Sequence, residues 1–588
     1  MQSTRVAILG VDVGGTFTDA VLLDGAEVRT AKVPTAERQE ESVLAAARAV
    51  GAEGVERFAH GTTVATNALL ERRGARTAFV SNAGFEHLLH LRRQTRAHLY
   101  RLCEPQPEPL VPLERSHGVR GRTGPDGELE PLDLASLPDL GDAESVAVCL
   151  LFSFRDPSHE RAVAAELRAR HPGLHVVASH EVAPEFREYE RASTTAADAY
   201  LAPVAARYLR ALAAGAREAG LPEPLVMLSS GGVASVGEAA AHPARILVSG
   251  PAGGVVGAGL VARRAGFENA IAFDMGGTST DVCLLPGGRA ARVAERVVGG
   301  LPIRLPTVDL HTVGAGGGSL VRRDAGGAIR VGPESAGAHP GPACYGAGGG
   351  ATVTDANLLL DRLPPELPGG LVLDRDAARR ALDGLDPAAV VDVVNAELLR
   401  AVRVVSVERG HDPREFALVA FGGAGPLHAC ALAEALEVET VLVPEAAGVL
   451  SALGLVAGEE RRDRVASYVR PLAEVRDLPE RGEADLRYRG QSFELTVPLG
   501  PDQGGGDVAA SFNAAHEERY GYADPEREIE LVAVRTADVV PGPELALHGA
   551  ERRAVAGPAL VELPGATCWV PRGWSGETNH DGTLVLTR

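Results

Sequence analysis

Val11-Asp12-Val13-Gly14-Gly15-Thr16-Phe17-Thr18-Asp19 lies between two apolar runs, Val6 to Leu9 and Ala20 to Leu23. The second run ends at Asp24-Gly25, a dipeptide that favours a hairpin turn between extended segments. The pattern predicts a strand closed by an acid, a turn made by two glycines and lined with hydroxyls, and a second strand leaving. Successive backbone N–H groups in such a turn cradle phosphate, and the carboxylate beside them can hold a divalent cation.

The same pattern returns at Phe273 to Leu285. Asp12, Gly14, Gly15, Thr16, Thr18 and Asp19 recur as Asp274, Gly276, Gly277, Thr278, Thr280 and Asp281, and 274 − 12 and 281 − 19 both give an offset of 262. Leu22 and Leu23 recur as Leu284 and Leu285, and Gly25 as Gly287. Two copies of strand, acidic glycine turn and strand predict a duplicated domain whose halves clamp one polyphosphate from both sides.

Composition bounds the alternatives. The 588 residues suffice for two to four domains. Its 69 glycines follow no fixed period, which indicates many tight turns and not a collagen-like chain. A net charge of −20 argues against a general binder of nucleic acid or anionic membrane. Lys32 is the only lysine among 58 basic residues, so no phosphate-binding G-x-x-x-x-G-K-[ST] loop exists and no lysine but Lys32 can serve as a base or Schiff-base former. The six cysteines are scattered without a C-x-x-C pair, which fits a reducing cytoplasm and no zinc ribbon. No signal peptide and no run of 18 apolar residues is evident, so a cytoplasmic chain without a membrane span is expected.

Along the chain, helical spacing is read over Glu40 to Val50, and a strand runs into His60-Gly61-Thr62-Thr63 and then a helix. That junction reads equally as an anion site at the helix N-terminus or as a threonine cap. Phe85 to Tyr100, rich in His and Arg, reads as a solvated helix face or as the lining of an anionic substrate. A strand at Val146 to Phe154 and a helix at Ser158 to His171 continue an alternation of β and α. A long helix is expected over Thr194 to Ala219, and a strand over Ile246 to Gly250. The Gly257-x-Gly259 pair within the next apolar helix reads as close helix packing. Asp309 and His311 alternate on a strand and so share one face, as two metal ligands would. A late strand, Ala417 to Phe421, opens into Gly422-Gly423-Ala424-Gly425-Pro426 and a helix, a place where a nucleoside base can lie against glycine backbone. From about Glu459 the charge rises and short alternating strands suggest a β-rich cap.

These residues carry a family resemblance. The two D-x-G-G-T turns and the late F-G-G-A-G-P resemble the actin-like (ribonuclease H-like) ATPase superfamily. More narrowly, Val11–Asp19, HGTTVATNALLERRGA from His60, LLFSF from Leu150, PEFREYERASTTAADAYL from Pro184, LVSGPAGGVVGA from Leu247, FDMGGTSTDV from Phe273, DLHTVGAGGGSL from Asp309, SAGAHPGPACYG from Ser335, TVTDANLLL from Thr352, AFGGAGPLHA from Ala420, and the tail segments RYRGQSFEL and HEERYGYADPEREIELV resemble the hydantoinase A/5-oxoprolinase family nearly end to end. The resemblance implies an α/β chain of duplicated actin-like halves. It implies an N-terminal α/β region with the first hairpin at residues 1–185, a core with the second hairpin and adenosine turn at 186–458, and a small β-rich C-terminal domain at 459–588.

It further implies ATP with Mg²⁺, and ATP-dependent opening of a cyclic amide (a hydantoin, N-methylhydantoin or 5-oxoproline) through phosphorylation of its carbonyl oxygen. A separate B-type subunit completes the hydrolysis, which makes a heteromer the expected assembly. Asp12, Asp274, Asp19 and Asp281 are then the candidate catalytic residues. Gly14, Gly15, Thr16, Thr18, Gly276, Gly277, Thr278, Thr280, Gly422, Gly423 and Gly425 are the nucleotide-binding candidates, and Asp309 with His311 is the candidate site for an additional divalent metal. Two other readings stand beside this one: a ketone (acetone or acetophenone) carboxylase subunit, and a non-enzymatic actin-like ATPase clamp. The blocks Asp309–Ser319 and Ser335–Gly346 argue against the clamp and against a carbohydrate kinase.

Overall fold

The computed structural model describes residues 7–588 apart from 26, 102, 368, 369, 502, 546 and 548–551. Two mixed sheets organise it, and each is built around one of the acidic turns. In the first, strand Ala7–Val13 pairs antiparallel with Phe17–Asp24 on one side and parallel with Arg57–Gly61 on the other. In the second, Ala270–Met275 pairs antiparallel with Thr280–Leu285 and parallel with Ala417–Phe421. A third strand follows in each half: Glu27–Pro34 beside Phe17–Asp24, and Leu310–Val313 beside Thr280–Leu285. The duplication read from sequence is thus a duplication of topology, and the fold is the expected pair of actin-like α/β halves.

Both faces of these strands are covered. Leu9, Val11 and Val13 enter one core cluster while Ile8, just before Leu9 and on the opposite face of the pleat, enters the other. That is why the strands read as near-continuous apolar runs and not as strict alternation. Helices Ser249–Arg264 and Leu450–Val456 pack on each other through glycine. A Cβ on Gly454 would stand 1.8 Å from the Gly253 carbonyl oxygen, and one on Gly257 2.7 Å from the Leu450 carbonyl. The Gly257-x-Gly259 pair is accordingly a packing element, as its place in an apolar helix predicts. Gly454→Ala, normally a stabilising kind of change in a helix, is expected to destabilise the chain by about 1–3 kcal/mol or more because backbone cannot yield as a side chain can. A thermal melt at one pH checks this; an unchanged or raised midpoint would contradict it.

Residues 77–178 form a separate five-stranded layer, in the order Gly127–Asp133, Ser116–Gly124, Thr77–Asn82, Ser145–Val148 and His175–Ala178. Helices Ser158–Arg170 and Glu188–Glu218 lie against it. The C-terminal region is β-rich but divides between the two halves. Glu460–Pro471, Gly482–Tyr488, Leu495–Leu499 and Ile529–Val540 extend the first sheet, whereas Ala554–Ala556, Ser575–Thr578 and Leu584–Thr587 extend the second. Among the described residues no helix is long and apolar enough to cross a membrane.

Four local expectations need correction. The strand read at Val146 to Phe154 spans only Ser145–Val148, and the chain turns after Leu150. Ile246 to Gly250 is not a strand: Pro243–Ile246 is a 3₁₀ turn and a helix starts at Ser249. A short apolar run fits a buried helix end as well as a strand. Phe85 to Tyr100 forms a helix only at Leu88–Leu91, where Leu89 is buried; beyond it the stretch has no apolar face to bury, and Leu99 and Tyr100 are 72% and 90% exposed. The long helix begins at Glu188, six residues before Thr194. The charged segment ahead of Thr194 joins this helix, and Arg191 within it donates to the carbonyls of Glu185 and Leu150 in the interior.

Candidate active site

The first turn closes on itself through Gly14 N–H donating to the Phe17 carbonyl at 2.9 Å, and the second through Gly276 N–H to the Ser279 carbonyl at 3.0 Å. In register, Asp12 stands opposite Asp19 and Asp274 opposite Asp281. Gly15, Thr16, Gly277 and Thr278 are exposed at the tips, and a Cβ on Gly15 or Gly277 would meet nothing within 4 Å. Their N–H groups are therefore open to a ligand. Thr18 and Thr280 are buried beneath the tips: Thr18 shares a hydrogen bond with Thr35, and Thr280 donates to the Ala315 carbonyl. These two threonines brace the turns, while Thr16 and Thr278 stand at the tips. Thr278 Oγ1 lies 3.3 Å from Ser335 Oγ.

Each acid is pressed by a glycine at the end of the neighbouring parallel strand. A Cβ on Gly61 would come within 2.3 Å of Asp12 Oδ1, and one on Gly422 within 2.3 Å of Asp274 Oδ1. The late glycine turn is thus the second-half counterpart of His60-Gly61-Thr62. Gly422 also has φ +77°, a conformation that favours glycine. Its N–H donates to the Ala447 carbonyl, and Ala424 N–H to that of Met275, so Gly422, Gly423 and Gly425 are tied to the second turn. Gly422→Ala is expected to push Asp274 aside and strain the turn, lowering ATP affinity by roughly tenfold or more, the equivalent of at least one lost hydrogen bond to a charged group. Calorimetric titration with ATP measures it; unchanged affinity would remove this turn from the site.

Burial sets the charge state. Asp12 is pushed up to about 7, by burial first and by the charge of Asp19 second. Asp274 is pushed up to about 8, again by burial first, then by Asp281, Asp12 and Asp19. The charges of the first turn reach an acid of the second, so the two turns share one electrostatic environment. Asp19 and Asp281 are also raised by burial; Lys32 opposes this at Asp19, and the Thr312 hydroxyl opposes it at Asp281. Asp12 Oδ1 is buried without a hydrogen-bond partner. A buried orphan carboxylate oxygen in an acid-rich cleft fits a divalent cation. Mg²⁺ takes one or two carboxylates and completes its shell with water and phosphate oxygens. No group of three or more His, Cys, Asp or Glu is placed to hold a metal among the described residues, and such an arrangement does not require one.

The loop Gly314 to Ser319 packs on the second turn, Gly317 and Gly318 donating to the carbonyls of Gly276 and Gly277. Asp309 and His311 lie apart from the turns' tips. The Asp309 carboxylate is paired with Arg409, and burial together with Arg409 and Arg296 lowers the pKa of His311. Asp355 serves as a helix cap and receives the Cys344 N–H. His60 bonds the Val11 carbonyl and the Tyr208 hydroxyl and is lowered to about 4, chiefly by burial, so it is a neutral core residue. Thr63 occupies the N-cap position of the next helix with no side-chain cap bond.

A caprolactamase subunit alpha from Pseudomonas jessenii is 32% identical over 98% of this chain and 99% of that protein. The sequence models of the hydantoinase/oxoprolinase N-terminal region and of hydantoinase/oxoprolinase match residues 8–171 and 191–464. The chain belongs to the hydantoinase/oxoprolinase family. A 5-oxoprolinase from Arabidopsis thaliana is 35% identical over 82% of this chain, which spans 44% of that relative. The crystal structure of the ATP-dependent caprolactamase from Pseudomonas jessenii superposes with a TM-score of 0.85 at 31% identity, covering 99% of both chains. Nucleotide-free acetone carboxylase superposes with a TM-score of 0.77 at 25% identity over 99% of both chains. The family accordingly includes relatives named for ATP-dependent cyclic-amide chemistry and for carboxylation, and this chain is similar to both.

Two features of this hydantoinase/oxoprolinase-family site were not assigned from the sequence. Lys32 Nζ lies 2.5 Å from Asp19 Oδ1, and its solitude in the composition was the one available sign. The tip of the hairpin Ala559–Leu563/Ala566–Val570 rests on the loop after Thr440–Val443: a Cβ on Gly448 would meet Gly565 carbonyl carbon at 2.4 Å. Nothing local in the sequence announces that contact.

Proposed function

We propose that this chain is the ATP-using subunit of a cyclic amidase, phosphorylating the carbonyl oxygen of a hydantoin, N-methylhydantoin, 5-oxoproline or related lactam for ring opening with a B-type partner on a separate chain. The observation that carries the reading is the pair of acidic glycine turns sharing one electrostatic environment, in a chain that matches a caprolactamase alpha subunit over nearly its whole length. That relative is named as a subunit alpha, which supports the partner.

An amide resists water because its nitrogen is a poor leaving group. Transfer of the terminal phosphoryl group forms a bond from phosphorus to the amide oxygen and breaks the bond to ADP. The amide carbon then accepts water, the ring C–N bond breaks as nitrogen takes up a proton, and a second water expels phosphate at the same carbon. Phosphoryl transfer depends mainly on positioning and charge neutralisation. The open N–H groups of Gly15, Thr16, Gly277 and Thr278 hold phosphate oxygens on turns that Gly14 and Gly276 close, and the glycine turn Gly422–Gly425 carries adenosine. Asp12 and Asp274 are the residues that would hold Mg²⁺, which when bound neutralises phosphate charge. Asp19 and Asp281, opposite them, complete the acidic frame.

The ketone carboxylase reading rests on the acetone carboxylase superposition and on an acetophenone carboxylase gamma subunit from Aromatoleum aromaticum, 32% identical over 76% of this chain and 67% of that protein. Both readings share O-phosphorylation and differ in the acceptor. Phosphate release from ATP by the purified chain, measured with hydantoin, N-methylhydantoin, 5-oxoproline, caprolactam and acetophenone, separates them. Stimulation by a cyclic amide is expected. Stimulation by the ketone alone would move the chain to the carboxylases, and ATP turnover indifferent to every compound would favour the clamp.

A further inference from the structure

The two halves repeat strand for strand, yet their third strands differ at one chemically decisive position. Opposite Asp19 in register stands Lys32, and opposite Asp281 stands Thr312. Lys32 Nζ lies 2.5 Å from Asp19 Oδ1 and 5.3 Å from the centre of the Phe17 ring, directly over the first turn. Thr312 donates its hydroxyl to Asp281 Oδ1 at 2.5 Å. The duplicated site is thus asymmetric: the first acid pairs directly with an ammonium, whereas the second meets a hydroxyl that itself accepts from the Arg296 guanidinium at 3.2 Å.

That ammonium is also the chain's single lysine among 58 basic residues. Every other cationic position is filled by arginine, whose planar fork is suited to bidentate pairing. The ammonium is a compact point charge with three rotatable donors. The surroundings favour the compact group: a Cβ on Gly565, at the tip of the hairpin Ala559–Leu563/Ala566–Val570, would stand 3.3 Å from Lys32 Cε. The side chain is 31% exposed, so it can swing from Asp19 to a ligand without unpacking the core. Its field opposes the rise that burial imposes on Asp12 and Asp274 as well as on Asp19, and so reaches both turns.

We propose that Lys32 is the cationic contact for the terminal phosphoryl group of the nucleotide, placing phosphoryl transfer at the first turn while the glycine turn of the second half holds the nucleoside. This rests on the ATP reading above. On arrival of the nucleotide the ammonium exchanges Asp19 for a terminal phosphate oxygen, and it steadies the three equatorial oxygens as the bond to ADP breaks and the bond to the amide oxygen forms. ADP lacks the group that Lys32 contacts.

The test compares Lys32→Met and Lys32→Arg with the natural chain, titrating each with ATP and with ADP by calorimetry in the presence of Mg²⁺. Lys32→Met is expected to weaken ATP roughly 10- to 100-fold, the range for a hydrogen bond to a charged group, and to leave ADP unchanged. Lys32→Arg, keeping charge without shape, is expected to recover only part of that loss. A thermal melt confirms that each variant folds, as an edge-strand side chain permits. Equal weakening of ATP and ADP would mean that Lys32 merely holds Asp19, and unchanged affinity for both would remove the contact; either result overturns the inference with the ATP reading intact. A natural chain that binds neither nucleotide would instead overturn the ATP reading.

Discussion

Asp12→Asn abolishes ATP turnover while the chain stays folded. The substitution keeps size and shape and removes only charge. Asp12 Oδ1 is buried without a hydrogen-bond partner, and glycines at positions 61 and 250 line it, with a Cβ on Gly250 lying 3.6 Å from that oxygen. No bulk is needed there; what the position contributes is a carboxylate in a confined space. Loss of one preorganised electrostatic group of this kind costs about 10²–10³ in rate, and the same is expected for Asp274→Asn. Stability should not fall, because an uncompensated buried carboxylate is itself unfavourable. ADP release measured beside a thermal melt checks both halves of the claim. Turnover within a few-fold of the natural chain would contradict the two-turn clamp, and joint loss of turnover and fold would assign Asp12 to structure.

The ligand-free chain loses stability as pH rises, and Asp274→Asn removes much of that loss. Asp274 moves from an ordinary 3.8 to about 8 in the folded chain, by burial and by the charges of Asp281, Asp12 and Asp19. A group raised in the folded state contributes stability that is fully present below pH 3.8 and is lost as pH climbs through about 8. At about 1.4 kcal/mol per unit, the shift amounts to several kcal/mol. Asparagine carries no proton to lose. The melting temperature of the variant relative to the natural chain should therefore widen in the variant's favour between pH 5 and pH 8. Asp12, pushed up to about 7, adds to the slope in the natural chain. Melts at several pH values, without nucleotide or metal, test this. A difference that stays constant with pH would show that Asp274 is ionised throughout.

How much of this was legible follows from where each signal sits. The turns were readable because their chemistry is local: acid, two glycines and hydroxyls within nine residues, repeated at one offset. Register then carried the duplication into the third strands, beyond what the motif shows, since Lys32 and Thr312 have no sequence likeness. The late glycine turn was readable as strand, glycines and helix for the same reason as the acidic ones, but the clasp of Gly422 on Asp274 spans 148 residues and leaves no local trace. The tail was legible as β-rich and not as divided. Glu460–Pro471 meets Val233–Ser235, and Leu584–Thr587 meets Thr440–Val443, pairings chosen by distant edges. The burial of Arg191 has no sign in the sequence, because charge usually marks surface, whereas here backbone carbonyls satisfy it in the interior.

The central claim is transfer of phosphate to a carbonyl oxygen, and one isotope measurement addresses it most directly. The chain, together with the B-type partner proposed for it, is given ATP and the cyclic amide that best stimulates phosphate release, with a heavy isotope of oxygen in the carbonyl. If the amide oxygen is phosphorylated and water then expels phosphate at carbon, the label leaves in inorganic phosphate, where mass spectrometry reads it. That is the predicted result. Label found wholly in the product carboxylate, with the new oxygen of phosphate drawn from solvent, would mean that ATP is hydrolysed without reaching the substrate, and the account would fail.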